Sequence, residues 1–214
     1  IKTYSWLLIS GTLFGTAVFS LQISQGLVNS YDGIWNNSVY FADYWERSIG
    51  RWFWPYLDKL RFGTVSVPLN SILTLILAAI ASAFLVDLFQ VKKKGYSFLV
   101  CALFTASPLM GNSLSYGYMS PTFGMAYLLA VLSMFCAIKV SRTVPAILAG
   151  IVFLAFSMGC YQSYFGAACI VALIWMINKL FQDVNWKEFG NTLIRIGGTL
   201  LGGGLLYKIL LDIT

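Results

Sequence analysis

The sequence contains no histidine, and charged side chains make up only 10% of its 214 residues. Without histidine, any catalysis must use carboxylates, lysine, tyrosine or backbone groups, because the commonest general acid and base is absent. Soluble domains carry about 25% charged residues, and so few charges cannot cover a water-facing surface. With 58% hydrophobic residues, the composition excludes an ordinary soluble domain and makes lipid the solvent for most of the chain.

Metal-binding and nucleic-acid-binding patterns are also lacking. The four cysteines lie inside apolar runs with no C-x-x-C pair, and no histidine can complete a zinc site. The net charge is +6, but the basic residues lie in short breaks between apolar runs rather than on one face. A lipid bilayer is therefore the expected partner, and nucleic-acid binding is not expected.

Long apolar runs predict an all-α fold, a polytopic transmembrane helical bundle of about seven helices. A helix rises ~1.5 Å per residue, so about 20 apolar residues cross a ~30 Å hydrocarbon core. Residues 1–214 are expected to form a single transmembrane domain. The predicted spans are residues 6–28, 68–89, 96–110, 122–138, 144–161, 164–181 and 189–211.

The segment 29–67 is predicted to be a large extracytoplasmic loop. It alternates aromatic and charged residues, which is typical of amphipathic helices that lie along a membrane surface. One such helix is expected from about residue 39 to 54, stopped by Pro55.

The distribution of lysine and arginine predicts the orientation of the bundle. Nine of the fourteen basic residues fall on one side, which is therefore predicted to be cytoplasmic. These nine are Lys2, Lys92, Lys93, Lys94, Lys139, Arg142, Lys179, Lys187 and Arg195.

Charged residues of the loop are the first candidates for chemistry. Asp32 follows the first span, where a partly desolvated carboxylate could act as a general base or bind a cation; a helix-capping Asp at a turn is the alternative. Asp43, Glu46, Arg47 and Arg51 would share one helical face, and their interpretation is open between intrahelical ion pairs and binding of an anionic phosphate. Arg51 is the stronger candidate for phosphate because a glycine precedes it and a tryptophan follows it.

Uncharged polar and aromatic residues mark the other outer loops. Tyr116 and Tyr118 lie in one of them, and Tyr161 and Gln162 lie in the next. Flat rings and neutral hydrogen-bonding groups recognise sugar hydroxyls, so these four residues are candidates for sugar or acceptor binding. Turn residues combined with an aromatic belt are the alternative explanation.

Two short motifs resemble a known family. The segment Ser48-Ile49-Gly50-Arg51-Trp52 resembles the S-x-GRW motif of the Gtr-type bacterial membrane glucosyltransferases, and residues 157–163 are similar to their later S-x-x-x-YQS motif. The order of features also matches: a helix, an acidic outer loop, GRW, and then repeated helices with short loops.

This resemblance implies a GT-C-like module, the N-terminal conserved part of a longer protein, in a bacterial cytoplasmic (inner) membrane. Such enzymes transfer glucose from polyprenyl phosphate-glucose to a surface polysaccharide such as O-antigen, with the active site on the extracytoplasmic face. Asp32 matches the catalytic position, Arg51 with Arg47 would bind the donor phosphate, and Asp43 or Glu46 would supply a second acid. No cofactor is certain, although a divalent cation would suit such acids.

Other activities remain open at this point. A non-enzymatic flippase or transporter of lipid-linked sugars would need a continuous polar path through the spans. A partner subunit of such an enzyme would tolerate substitution of Asp32 and Arg51.

Overall fold

The computed structural model describes residues 4–28, 31–36, 38–182 and 185–214 of the chain. Lys2 and Asn29, which contributed to the predicted orientation and to the predicted loop, lie outside these ranges. Within the described residues the fold is all-helical, and the one isolated β-bridge joins Val39 to Thr64. The helices are α1 (Ser5–Val18), α2 (Ser20–Ser24), α3 (Tyr31–Trp35), α4 (Tyr44–Ser48), α5 (Trp54–Leu60), α6 (Val67–Leu88), α7 (Lys94–Thr105), α8 (Pro108–Ser115), α9 (Ser120–Lys139), α10 (Thr143–Cys160), α11 (Tyr164–Leu180) and α12 (Trp186–Ile213).

Five helical segments of the described chain are long and apolar enough to cross a membrane. They are α6, the segment Lys94–Ser115 that contains α7 and α8, and the helices α9, α10 and α12. The helices α1 and α11 are apolar but shorter. The predicted all-α class is confirmed, and the five apolar segments are compatible with a multi-pass membrane protein.

Two of the predicted spans are interrupted. The run 6–28 folds as α1 and α2 and ends before Gly26, whose φ of +60° lies in the left-handed region. The run 96–110 divides between α7 and α8 because Pro108 has no backbone N–H and disfavours a helical residue before it. The Ser107 hydroxyl then caps α8 by accepting a hydrogen bond from the Met110 N–H at 3.2 Å.

The prediction of a single amphipathic helix over residues 39–54 is wrong. Asp43 and Glu46 form a capping box that begins α4 at Tyr44, and α4 ends after five residues. Pro55 does not stop a helix but lies in the first turn of α5, where its missing N–H costs nothing. Because Arg51 lies beyond the end of α4, the intrahelical ion pairing considered for Asp43, Arg47 and Arg51 does not form in the described structure.

The bundle is organised around α9, which packs against α6 on one side and α10 on the other. The glycine-rich helix α12 lies along α10, where Gly202 meets Ile151 and Gly203 meets Leu154 so closely that a methyl group would clash. Small residues allow such close approach between helices in lipid. The packed helices form a platform, and the segment 38–66 covers one end of it.

Candidate functional site

The two family-like motifs meet at this end of the bundle. The backbone N–H of Phe53 donates a hydrogen bond to the Gly159 carbonyl at 2.9 Å, and the Trp52 ring lies directly against Gly159. Trp52 is buried, and its ring makes an edge contact with Phe156. The segment after α4 is therefore fixed to the end of α10 by both backbone and aromatic contacts.

We expect Gly159→Ala to destabilise the protein, because the new Cβ would lie 2.6 Å from the Trp52 ring. Overpacking of this kind costs about 1–3 kcal/mol. Gly166→Ala is the matched control, since a Cβ there meets nothing within 4 Å and alanine favours a helix over glycine. Thermal unfolding of both variants in the same detergent measures the difference, and equal melting temperatures would contradict the packing described here.

A tight turn at Gly50 follows the end of α4 and sets the direction of the chain at Arg51. Gly50 has a φ of +89°, and a Cβ there would clash with Gln162 and Tyr207. The Tyr207 hydroxyl donates to the Gly50 carbonyl at 3.0 Å, and the Gln162 amide donates to the Ile49 carbonyl. Gln162, predicted to contact sugar, is thus placed as an anchor of this turn.

A buried ion pair, which was not predicted from the sequence, holds the second half of the loop. Asp58 is fully buried, accepts a hydrogen bond from the Ala42 N–H at 2.9 Å and pairs with Arg61. Burial raises the pKa of Asp58, while the Ala42 hydrogen bond and the Arg61 charge act in the opposite direction. Arg61 also donates to the Tyr118 carbonyl at 3.0 Å, so the pair ties α5 to the loop before α9.

Asp43 and Glu46, the two candidates for a second catalytic acid, both interact with groups of their own segment. Glu46 is buried, accepts the Asp43 backbone N–H at 2.8 Å and also accepts the Tyr40 hydroxyl. Burial, followed by the Glu46 interaction, raises the pKa of the Tyr40 hydroxyl. Asp43 caps α4. Neither acid lines the cavity described next.

A cavity of about 580 Å³ lies beneath the loop and brings together five of the predicted site residues. Its lining includes Asp32, Arg51, Tyr116, Tyr118 and Tyr161. Asp32 lies in the first turn of α3, and Arg51 follows the Gly50 turn. With Tyr164, which also lines it, the cavity combines one carboxylate, one guanidinium and four phenol rings among its described lining residues.

Arg51 is held by aromatic rings rather than by an acid. Its guanidinium lies 4.4 Å from the centre of the Tyr161 ring and 5.7 Å from that of Trp54. Across the described residues it forms no salt bridge, and its buried Nε has no hydrogen-bond partner. Cation–π contact positions the group while leaving its positive charge uncompensated.

Tyr118 lines the same cavity as the two charged groups. Burial raises the pKa of its hydroxyl, the negative charge of Asp32 adds to this rise, and the positive charge of Arg51 opposes it. Both charges therefore act electrostatically on one phenol.

An apolar groove of about 420 Å³ continues from this cavity. The two spaces share Phe123 and Tyr164, and they also share Leu109 and Ile170, which are 74% and 58% exposed. The remainder of the groove passes between α6, α7, α9 and α11. A polar head and an apolar tail of one molecule would fit the cavity and the groove together.

Arg47 lies outside the cavity that Arg51 lines. Its guanidinium lies 5.9 Å from the centre of the Tyr56 ring and donates to the Thr214 carbonyl at 3.3 Å. It is not part of the cavity lining. The structure thus brings Arg51, but not Arg47, to Asp32.

Among the residues that the structure describes, no group of three Asp, Glu or Cys side chains is placed to hold a metal ion. Of the described residues that line the cavity, Asp32 alone carries a carboxylate. One carboxylate is few for a cation site built from protein ligands alone, because Mg²⁺ and Ca²⁺ take several oxygen ligands.

The apolar helical bundle is compatible with a multi-pass membrane protein, and its polar cavity holds a carboxylate and a guanidinium. Residues 26–214 match the model of the family described as "Glucosyl transferase GtrII", and the chain belongs to that family. No curated protein and no solved structure matches the chain.

Proposed function

We propose that the protein transfers glucose from polyprenyl phosphate-glucose to a hydroxyl of a surface polysaccharide such as O-antigen, with inversion at the anomeric carbon. The observation that carries this proposal is the polar cavity, which is joined to an apolar groove and is lined by Asp32 and Arg51. Arg51 forms no salt bridge with any described residue. The groove suits a long hydrocarbon tail, the guanidinium suits a phosphate, and the tyrosines suit a sugar.

The donor would lie across the two spaces in one direction. Its tail would occupy the groove, its phosphate would contact Arg51, and its glucose would reach towards Asp32. Tyr116, Tyr118 and Tyr161 would contact the sugar or the acceptor. Gln162 and Arg47 act from outside this cavity: Gln162 holds the turn before Arg51, and Arg47 contacts the end of α12.

The reaction is a direct displacement. Asp32 accepts the proton of the acceptor hydroxyl as its oxygen bonds to the anomeric carbon of glucose, and the bond from that carbon to the phosphate oxygen breaks. The electron pair of the broken bond remains on the departing polyprenyl phosphate. Arg51 stabilises the negative charge that grows there, and such groups contribute about 10²–10³-fold to rate when fixed in advance. Attack opposite the leaving group inverts the anomeric centre.

The proposal includes the placement of the bundle. The helices α1 and α11 would join the five longer segments as crossings, giving about seven. The loop and cavity would face the extracytoplasmic side of a bacterial inner membrane, because Lys92 and Lys93 lie between α6 and α7, and Lys94 begins α7, at the other end of the bundle.

The direct test is transfer of radiolabelled glucose from synthetic polyprenyl phosphate-glucose to lipid-linked polysaccharide by the full-length protein in vesicles. Labelled polysaccharide supports the proposal. Movement of the donor across the vesicle membrane without any transfer would instead establish a flippase.

The groove gives a prediction that separates tail binding from catalysis. Ile170→Trp should fill the groove where it joins the cavity, and we expect about a tenfold rise in KM for a long-chain donor but little change for a short-chain one. Ile177→Trp is the control, because Ile177 lies seven residues further along α11 and does not line the groove. An equal effect on both donor lengths would argue against a tail in the groove.

A further inference from the structure

A second polar cavity, of about 310 Å³, lies at the opposite end of the bundle. Its walls come from the residue before α1 and the start of that helix, from the end of α6, and from the start of α7. Its lining includes Trp6, Asp87, Gln90, Lys92, Lys94 and Ser97. The described linings of this cavity and of the cavity that holds Asp32 and Arg51 have no residue in common.

This second cavity has an excess of positive charge. Lys92 and Lys94 both line it, and neither takes part in a salt bridge within the described ranges. Among the described residues of the lining, Asp87 is the one acid. Its carboxylate already contacts the Lys139 Nζ at 3.6 Å and accepts the Tyr4 hydroxyl at 3.1 Å, so it does not neutralise the two lysines.

The walls are fixed by hydrogen bonds around the turn that carries the lysines. Gln90 has a φ of +54°, and its side chain donates to the Asp87 carbonyl at 2.6 Å. The Val91 N–H donates to the Val86 carbonyl at 3.0 Å, and the Ser97 hydroxyl donates to the Val91 carbonyl at 3.1 Å. The lysines therefore extend from a positioned turn.

The cavity lies at the ends of helices that are apolar and long enough to cross a membrane, where lipid headgroups are expected. Two candidate membrane spans, Val67–Leu88 and Lys94–Ser115, are separated by only five residues. Lys92 lies between these spans, and Lys94 is the first residue of the second. Trp6 belongs to the same lining, and tryptophan with lysine is typical of the membrane interface. Exposed apolar residues of α7, Leu99 and Leu103, follow towards the membrane interior and would contact acyl chains.

We propose that this cavity binds the phosphate of an anionic phospholipid, with Lys92 and Lys94 as its ligands. Paired lysines between transmembrane helices attract anionic headgroups, and the phosphate oxygens would accept their hydrogen bonds. Bound there, the lipid would join α1 to α6 and α7. This site is independent of glucosyl transfer.

The neighbouring Lys93 provides a matched control. It belongs to the same triplet but does not line the cavity, and its Nζ lies 5.6 Å from the centre of the Tyr96 ring. Substituting Lys93 changes the net charge of the turn without changing the cavity. A specific site and a diffuse surface charge thus predict different results.

The experiment is native mass spectrometry of the full-length protein released from vesicles of phosphatidylglycerol and phosphatidylcholine in equal amounts. We expect wild type and Lys93→Ala to retain phosphatidylglycerol, and the Lys92→Ala/Lys94→Ala double variant to retain about tenfold less. Equal losses in the Lys93→Ala and double variants, or equal retention by all three proteins, would overturn the proposal. Displacement of the lipid by millimolar inorganic phosphate would also overturn it, because a small anion would then be the ligand. All three lysines are exposed, and thermal unfolding confirms that the variants fold.

Discussion

Asp32→Asn is expected to lower the rate of glucosyl transfer at least about a hundredfold, because the amide keeps the size of the carboxylate but cannot accept the acceptor proton. Donor binding should change little, since Arg51 and the groove remain. The measurement is a rate of transfer from labelled donor at saturating acceptor, together with a dissociation constant for polyprenyl phosphate.

Asp43→Asn is the matched control for this substitution. Both acids belong to the same loop, but Asp43 caps α4 and lies outside the cavity lining. Asparagine is as good an N-cap as aspartate, so α4 should remain intact and transfer should stay close to wild type. A transfer rate for Asp32→Asn within about threefold of wild type would place the catalytic base elsewhere.

Arg51→Ala is expected to reduce kcat/KM by about a hundredfold or more. The loss has two components, because the guanidinium would hold the donor phosphate in the ground state and stabilise the leaving phosphate in the transition state. Arg51→Lys should recover part of the activity, since it restores the charge but not the planar fork.

Arg47→Ala separates this role from a general effect of loop charge. Arg47 contacts Tyr56 and Thr214 and does not line the cavity, so we expect a change of less than about fivefold. Titration with polyprenyl phosphate at increasing salt adds a second measurement: affinity should fall with salt in wild type and in Arg47→Ala, but much less in Arg51→Ala. Equal losses of transfer in the two alanine variants would contradict the assignment of Arg51.

Much of the fold follows from hydropathy, because each apolar run must satisfy its backbone hydrogen bonds as a helix. The run 68–89 differs by only one residue at each end from α6, and the run 122–138 lies within α9. The loop is the part that hydropathy predicts least well, because the position of a residue within a turn decides whether a helix ends or begins there. Pro55 can end one helix or begin the next, and hydropathy does not distinguish these roles.

The candidate site was predictable as a set of residues but not as an arrangement. Local patterns and the family resemblance predict Asp32, Arg51 and Tyr161 as site residues, and these three line one cavity. The local pattern also predicts that Arg47 and Arg51 lie on one helix, but α4 is too short to contain both. The Asp58–Arg61 pair had a local signal, namely opposite charges three residues apart after a proline, but its contact with Tyr118 joins residues that are distant in sequence.

The union of the apolar groove with the polar cavity has a kinetic consequence. Leu109 and Ile170 place the rim of the groove on the outer surface of the bundle, so a lipid-linked donor would arrive by diffusion within the plane of the bilayer. Its effective concentration would then be a mole fraction of membrane lipid rather than a bulk molarity. Adding inert phospholipid at constant protein and donor should therefore slow transfer by surface dilution, although the number of donor molecules in the tube is unchanged.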